Sequence, residues 1–395
     1  MKTVANHRIV MITCVVALLA CVTTARAAQT DNAALLYYQA LLFYEKPDAT
    51  TEQMLADFRA GKIGSNEAIR EHLRKNRRVI DHAIAAGNLP RCDWAFDYSK
   101  GLDLTLPHLP GIRHITFLLW EDAEVLKEQG DYRTALDRCI SLHQMALHAA
   151  DRTMVTFLMA VSISSSANRV IQDLLPVAAA DVERLSRLKT QVRQFQEKFP
   201  SISYALAQEG QTCALTMRKE ETQTILRMMR GDSDSPKNES LAARISVADE
   251  AFFERNRAHW LNAIATLTRT VESGLAYAEM CTRLDELDQR FCDEAKDNPD
   301  ATLTAFVLPA TRKIYQIVTA QQTHFHAVRT ALDLYIGRAT TGRLPDTLPA
   351  DALGDLFSGK PFLYEKANDR FILRCQAKME SKKTEANQYE FKIKQ

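Results

Sequence analysis

From Gly130 to His148 the chain reads GDYRTALDRCISLHQMALH, and Tyr132, Leu136, Cys139, His143, Ala146 and Leu147 recur every three or four positions. That period lays these side chains along one stripe of an α-helix, while Asp137, Ser141, Gln144 and His148 fall on another. The same period runs through most of the chain. It predicts a helix over DNAALLYYQALLFYEK, capped by Asp31 or Asn32, and a second over TTEQMLADFRA, opened by Thr51 and Glu52. A third spans Ser65 to Gly87, with Ser65 as cap, Glu67 and Glu71 in the first turns and Gly87 as stop.

A connector follows, NLPRCDWAFDYSKGLDLTLPHLPG, with Cys92 and the aromatic residues Trp94, Phe96 and Tyr98. Aromatic side chains in a long loop either pin it to the core or line a binding groove. After Pro110 the period predicts five consecutive helices, the last running from Ser201 to Arg230, and three more at about 241–274, 275–296 and 310–337. GDSDSPKNES, Gly231 to Ser240, reads as a surface linker. The pattern changes at the end. PFLYE, RFILRC and YEFKIK alternate apolar and polar residues and predict an antiparallel sheet of two or three strands.

The expected fold is therefore mainly α: antiparallel helical hairpins packed as an irregular array, with that small C-terminal sheet. Scarce glycine, 13 in 395 residues, agrees with helices and disfavours phosphate-binding glycine loops.

The N-terminus carries a different signal. Lys2, His7 and Arg8 precede an apolar stretch from Ile9 to Val22, too short to span a bilayer comfortably. Ala25-Arg26-Ala27 then offers a signal peptidase site before Ala28, so residues 1–27 read as a signal peptide. Leu18-Leu19-Ala20-Cys21 offers another ending, a lipobox that would make Cys21 a lipidated first residue and anchor the chain to the envelope. The expected organisation is a signal peptide, a helical domain over 28–340, and a C-terminal loop and hairpin element over 341–395. The expected location is periplasmic or extracellular. Cleavage takes three of the 50 basic residues and none of the 49 acidic ones, leaving a net charge of −2. That balance supplies no basic excess for nucleic acid or anionic lipid.

Six cysteines remain, Cys92, Cys139, Cys213, Cys281, Cys292 and Cys375, and their spacing alone chooses no disulfide pairing. Cys281 and Cys292 would lie about 16 Å apart along one helix, too far to bridge each other.

The search for chemistry is mostly negative. Cys139 and His143 share a helix face, but His148 is turned about 140° from His143, and no further ligands for a metal are evident. His324 and His326 are two apart, so His324 can face the core while His326 faces water. Glu209 reads as a helix-surface carboxylate, with a buried, perturbed one as the alternative. DEAKDNPD, Asp293 to Asp300, lacks the alternating ligands and turn glycine of an EF-hand and reads as a solvated helix end. The serine run Ser162 to Asn168 reads as helix interior. No nucleophile elbow, Walker loop or zinc-protease motif occurs. No catalytic, cofactor-binding or metal residue is assigned.

Three resemblances add expectations. EDAEVLKEQGDYRTALDRCISLHQMALHA, about 121–150, resembles a single tetratricopeptide-type hairpin, with Gly130-Asp131-Tyr132 at its turn. About 329–375 resembles the helix–loop–hairpin head of type II secretion pseudopilins, through Gly342 to Pro345 and Gly359 to Phe362; the pilin cleavage motif and stalk helix have no counterpart here. The succession NAALLYY, CDWAFDYSKG, LPHLPGIR, EQGDYRTAL and SGKPFLYE resembles exported helical proteins of planctomycete-like bacteria, which imply no activity. The expected function is a non-catalytic exported scaffold that binds a protein, peptide or envelope component. The alternatives are an enzyme with a site assembled between helices and a structural lipoprotein held through Cys21.

Overall fold

The structure, a computed structural model, describes residues 31–230, 242–377 and 388–393. The signal segment, the Ala27–Ala28 cleavage point, Cys21 and the linker at 231–240 lie outside the described residues.

Asn32 rather than Asp31 caps α1 (Ala33–Leu42), its side chain accepting the Ala34 amide. Asp48 caps α2 (Ala49–Arg59). The helix expected over 65–87 is two helices. Asn66, not Ser65, caps α3 (Glu67–Lys75), and α4 (Arg77–Gly87) begins after Asn76. Asn76 is buried, and its amide serves other backbone: Oδ1 accepts the Glu45 amide at 2.9 Å, while Nδ2 donates to the carbonyls of Glu45 at 3.0 Å and His72 at 3.1 Å. A short polar side chain that satisfies nearby backbone groups competes with helix continuation. Here it also ties the α1–α2 connection to the α3–α4 joint.

The connector is pinned to the core. Trp94 is buried, stacks on Tyr37 with ring centres 5.6 Å apart, and donates its indole N–H to the His148 carbonyl at 2.8 Å. The Tyr98 hydroxyl bonds Asp151.

Helix α5 (Leu109–Glu128) turns at Gly130, whose φ of +82° suits glycine, into α6 (Tyr132–Ala149). A buried ion pair, Arg138 Nε to Asp122 Oδ2 at 2.6 Å, ties the two together. Next come α7 (Met154–Ala178), begun by a Thr153 capping box, and α8 (Val182–Lys198). The helix expected from 201 to 230 is interrupted as well. It ends as α9 (Ile202–Ala214) and resumes as α10 (Thr222–Arg230). In the gap the Thr216 hydroxyl accepts the Leu102 amide at 2.6 Å, so the break docks the connector.

The helix expected over about 241–274 is broken at 247–249: residues 242–246 are helical, and α11 (Glu250–Val271) follows. The rest comprises α12 (Tyr277–Asp297), a short α13 (Thr302–Val307) that the periodicity did not predict, and α14 (Thr311–Thr341). The end forms two small antiparallel sheets. β1 (Gly354–Asp355) pairs with β2 (Lys360–Pro361), while β3 (Leu363–Lys366), β4 (Arg370–Arg374) and β5 (Gln388–Lys392) follow in order. Phe371 faces Phe391 across β4 and β5 with stacked rings 5.1 Å apart.

The buried apolar residues form two clusters, and α7 supplies both. Its first half, with Phe157, Ala160 and Val161, joins α1, α4, α5, α9 and α11. Its second half, with Val170, Ile171 and Leu174, joins α8, α14 and the strands. By length and composition α7 could cross a membrane, but 61% of its most apolar stretch is buried inside the fold. The sheet is fastened to the rods from both sides: Gln172 donates to the Glu390 carbonyl at 2.8 Å, and the Tyr335 hydroxyl bonds the Lys392 carbonyl.

Both stripes of α6 carry buried residues: Ser141 and His148 are buried along with Leu136 and His143, because α4, α5, α7 and α8 pack against the helix, while Asp137 stays exposed. Two expectations need correction. His326 does not face water: β1 lies over it, and its ring bonds the Gly354 carbonyl at 2.8 Å. Glu209 is not a surface carboxylate. Half-buried on α9, it accepts the Met154 amide at 2.9 Å at the start of α7, and burial raises its pKa.

Where α9 crosses α11, Trp260 donates to the Gly210 carbonyl at 2.8 Å, and a Cβ built at Gly210 would lie 2.6 Å from Ile264 Cγ2. Gly210→Ala gains up to about 1 kcal/mol of helix propensity and incurs about 1–3 kcal/mol of overpacking. The expected result in urea unfolding is a net loss near 1 kcal/mol; a more stable variant would show that the two helices separate freely.

Candidate functional site

The residues singled out as candidate chemistry are dispersed, and most are occupied. Cys139 donates to the Ala135 carbonyl, and burial raises its thiol. His143 lies between the rings of Phe195 and Phe325, at 5.3 and 5.2 Å, and burial pushes its pKa down to about 3. His148 is pushed down to about 4, also by burial, and its ring meets the Tyr37 hydroxyl at 3.1 Å and the Leu89 carbonyl at 3.0 Å. His324 stacks on Tyr389 at 4.9 Å and meets Gln172 Oε1 at 2.9 Å. All six cysteines are free thiols, with Cys281 buried and Cys292 exposed on α12. Over 293–300, Asp293 pairs with Lys296 and Asp300 with Arg255. Among the described residues, no three His, Cys, Asp or Glu side chains gather closely enough to hold a metal ion.

A polar chain absent from the sequence reading runs from Thr304 Oγ1 to His259 Nδ1 at 2.8 Å and from His259 Nε2 to Glu294 at 3.1 Å. The order resembles a nucleophile–base–acid relay, but Thr304 is wholly buried, so a substrate has no approach to its hydroxyl. The chain reads as a clamp between α11, α12 and α13.

A cleft of about 530 Å³ opens between the α1–α2 connection, α2, α3 and the first half of α5. That is the size of a small-molecule site. Glu121 forms its inner end. It is 1% exposed, and Arg59 of α2 is its ion-pair partner. Arg59 also reaches Glu52 at 3.1 Å, and its guanidinium lies 4.2 Å from the centre of the Phe117 ring. Burial outweighs the arginine and raises the Glu121 carboxyl to about 7. The walls are aromatic: Tyr44 stacks on His114 with ring centres 4.6 Å apart. Burial pushes the Tyr44 phenol up to about 12 and lowers the pKa of both His72 and His114, which favours neutral imidazoles. Lys46, Glu52 and Arg113 are exposed at the mouth.

The fold places each of these groups for a stated reason. Asn76 clamps Glu45 by its amide and carbonyl, which fixes Tyr44 and Lys46 on either side of it. Gly111 lets the first turn of α5 approach α1: a Cβ there would lie 2.5 Å from the Leu41 methyl groups. One face of α5 then carries His114, Phe117, Leu118 and Glu121, spaced i, i+3, i+4, i+7.

A second cavity, about 770 Å³, lies beside Leu89, Cys92, His148, Lys198 and Tyr204. Several of its polar side chains are already engaged: His148 as described, Asp151 with Tyr98, and Arg91 with Asp31 and Asp93. Of the two, the first cleft is the better candidate, because the buried Arg59–Glu121 pair lines it. It can bind through a flat apolar wall, supply or take one proton at Glu121 near neutrality, and present cations at its mouth.

The sequence reading had placed no site here. A signal was present, because Glu121 falls on the apolar stripe of a helix beside Leu118, where an acid is rarely buried without a partner. That partner, Arg59, is 62 residues away.

Two outcomes follow. The Glu121 carboxyl titrates near 4.5 unfolded and about 7 folded, so the folded state gains from protonation. The gain is complete below pH 4.5 and is lost as pH rises through 7, by about 3 kcal/mol. Glu121→Gln removes this dependence while leaving every other titration common to both proteins. Denaturation of the pair at pH 5 and pH 8 is expected to show the variant gaining on the parent as pH rises; a pH-independent difference would place the carboxylate in water. Asn76→Ala leaves the Glu45 backbone groups unpaired and is expected to lower stability by about 2–3 kcal/mol in the same assay.

No family model, curated protein or solved structure matches this chain.

Proposed function

We propose that the chain is an exported, non-catalytic helical scaffold that seats part of a protein, a peptide or an envelope component in the cleft ending at Glu121. The cleft itself supports this most directly: a cavity with aromatic walls, a few convergent polar groups and one buried ion pair. The segment from Lys2 to Ala27 supports export, and it would put the cleft among envelope and extracellular molecules. Mass spectrometry of the mature N-terminus distinguishes a soluble protein beginning at Ala28 from a lipoprotein beginning at a modified Cys21.

A second reading is favoured by one observation. A carboxyl that titrates near 7 in a cleft is suited to general acid–base work. This is the enzyme alternative, with Glu121 as the proton-transferring group and Arg59 holding it in place.

A library of capped dipeptides tests both readings. On the binding reading, some dipeptides raise the melting temperature of the parent by several degrees, do not raise that of Phe117→Ala, and are recovered intact. Turnover that is lost in Glu121→Gln would establish the enzyme instead.

A further inference from the structure

The mouth of the cleft carries more cations than carboxylates. Arg59, farther in, is balanced by Glu121 at the inner end and by Glu52, which is exposed at the mouth. At the mouth, Lys46 and Arg113 are both exposed, and among the described residues no carboxylate lies within ion-pair distance of either. Arg113 rests on the Phe117 ring, its guanidinium carbon 5.3 Å from the ring centre, and its side chain is exposed. Both cations bear on the His114 ring: burial lowers its pKa most, the Glu52 carboxylate opposes this, and Arg113 and then Lys46 lower it further. His114 therefore marks a point within electrostatic reach of both. The first turn of α5, a 20-residue helix, adds to the same field: Leu109 and Pro110 line the cleft, the turn contains no acid, and no side chain caps it. Inside the mouth the wall is flat and apolar, made by Tyr44 stacked on His114 and by Phe117.

Taking the cleft as the binding site, we propose that it recognises an oxyanion, a carboxylate or a phosphate ester, carried on an aromatic or flat apolar body. The anion is held at the mouth by Lys46 and Arg113. The body lies along Tyr44, His114 and Phe117, with its far end toward the Arg59–Glu121 pair. Two cations without carboxylate partners attract an anion, whereas the paired charges inside would reject a second one.

The test is calorimetric titration of the full mature chain at low salt with four probes: benzoate, phenyl phosphate, benzyl alcohol and benzylamine. At least one of the two anions is expected to bind ten-fold or more tightly than the alcohol or the amine, and the tighter of them identifies the anionic group. Raising the salt concentration should weaken that binding. Lys46→Ala and Arg113→Ala remove exposed side chains, and each should weaken the anion by about three- to ten-fold while leaving the alcohol unchanged. Phe117→Ala should weaken both. If the alcohol or the amine binds as tightly as the anions and responds only to Phe117→Ala, the inference is overturned while the cleft remains a binding site. If none of the four binds but capped dipeptides do, the inference again fails alone. If neither set binds, the functional proposal falls with it.

Discussion

The fold depends on hiding one rod. Helix α7 carries apolar residues on more than one face, and Phe157, Ala160, Val161, Val170, Ile171 and Leu174 are all buried. A helix apolar over so much of its circumference cannot lie on a surface; it must be wrapped. The wrapping proceeds in two stages along its length. Near Met154 it is covered by the N-terminal helices, α9 and α11, and near Ala178 by α8, α14 and the strands. Two cores threaded on one rod explain why a chain with few long-range motifs still packs as a continuous array. They also explain why the short strands need no second layer of their own. Phe371 and Phe391 enter the same cluster as Val170 and Leu332.

The cleft arises from a compromise within this wrapping. Helix α5 packs on α6 and α7, with α2, α3 and α4 also against it, and the cleft lies between it, α2, α3 and the α1–α2 connection. A buried carboxylate there would be costly alone, since burial disfavours its charged form. Arg59 reduces that cost and Phe117 supports the guanidinium from below, yet the pair stays balanced close enough for the carboxyl to exchange a proton near neutrality. The mouth cations come from the α1–α2 connection, which carries Lys46, and from α5, which carries Arg113; the balanced inner end is α2 against α5.

Much of the architecture was legible along the chain because a period of 3.6 is written locally. The helices around Leu36, Leu136 and Leu188 and the alternation of RFILRC needed only their own residues to be recognised. The breaks were less legible. KNRRVIDHAI carries good helix formers on both sides of Asn76, and nothing nearby shows that its amide is claimed by Glu45, 31 residues earlier. Thr216 stops α9 because Leu102, 114 residues away, requires an acceptor. His148 and Ser141 fall on a second helical stripe, yet both are buried under neighbouring helices, while Asp137 on the same stripe stays exposed.

By itself, then, the sequence determined the class of fold, the positions of most rods and the small terminal sheet, since each follows from side-chain spacing within one turn or one strand. Only the tertiary structure decided where the rods break and which polar residues are buried. It alone joined Arg59 to Glu121 and left Lys46 and Arg113 facing outward together. Those outcomes depend on groups far apart in the chain meeting in a medium of low polarity, where hydrogen-bond partners and opposite charges must be found in space, and no local pattern records that search.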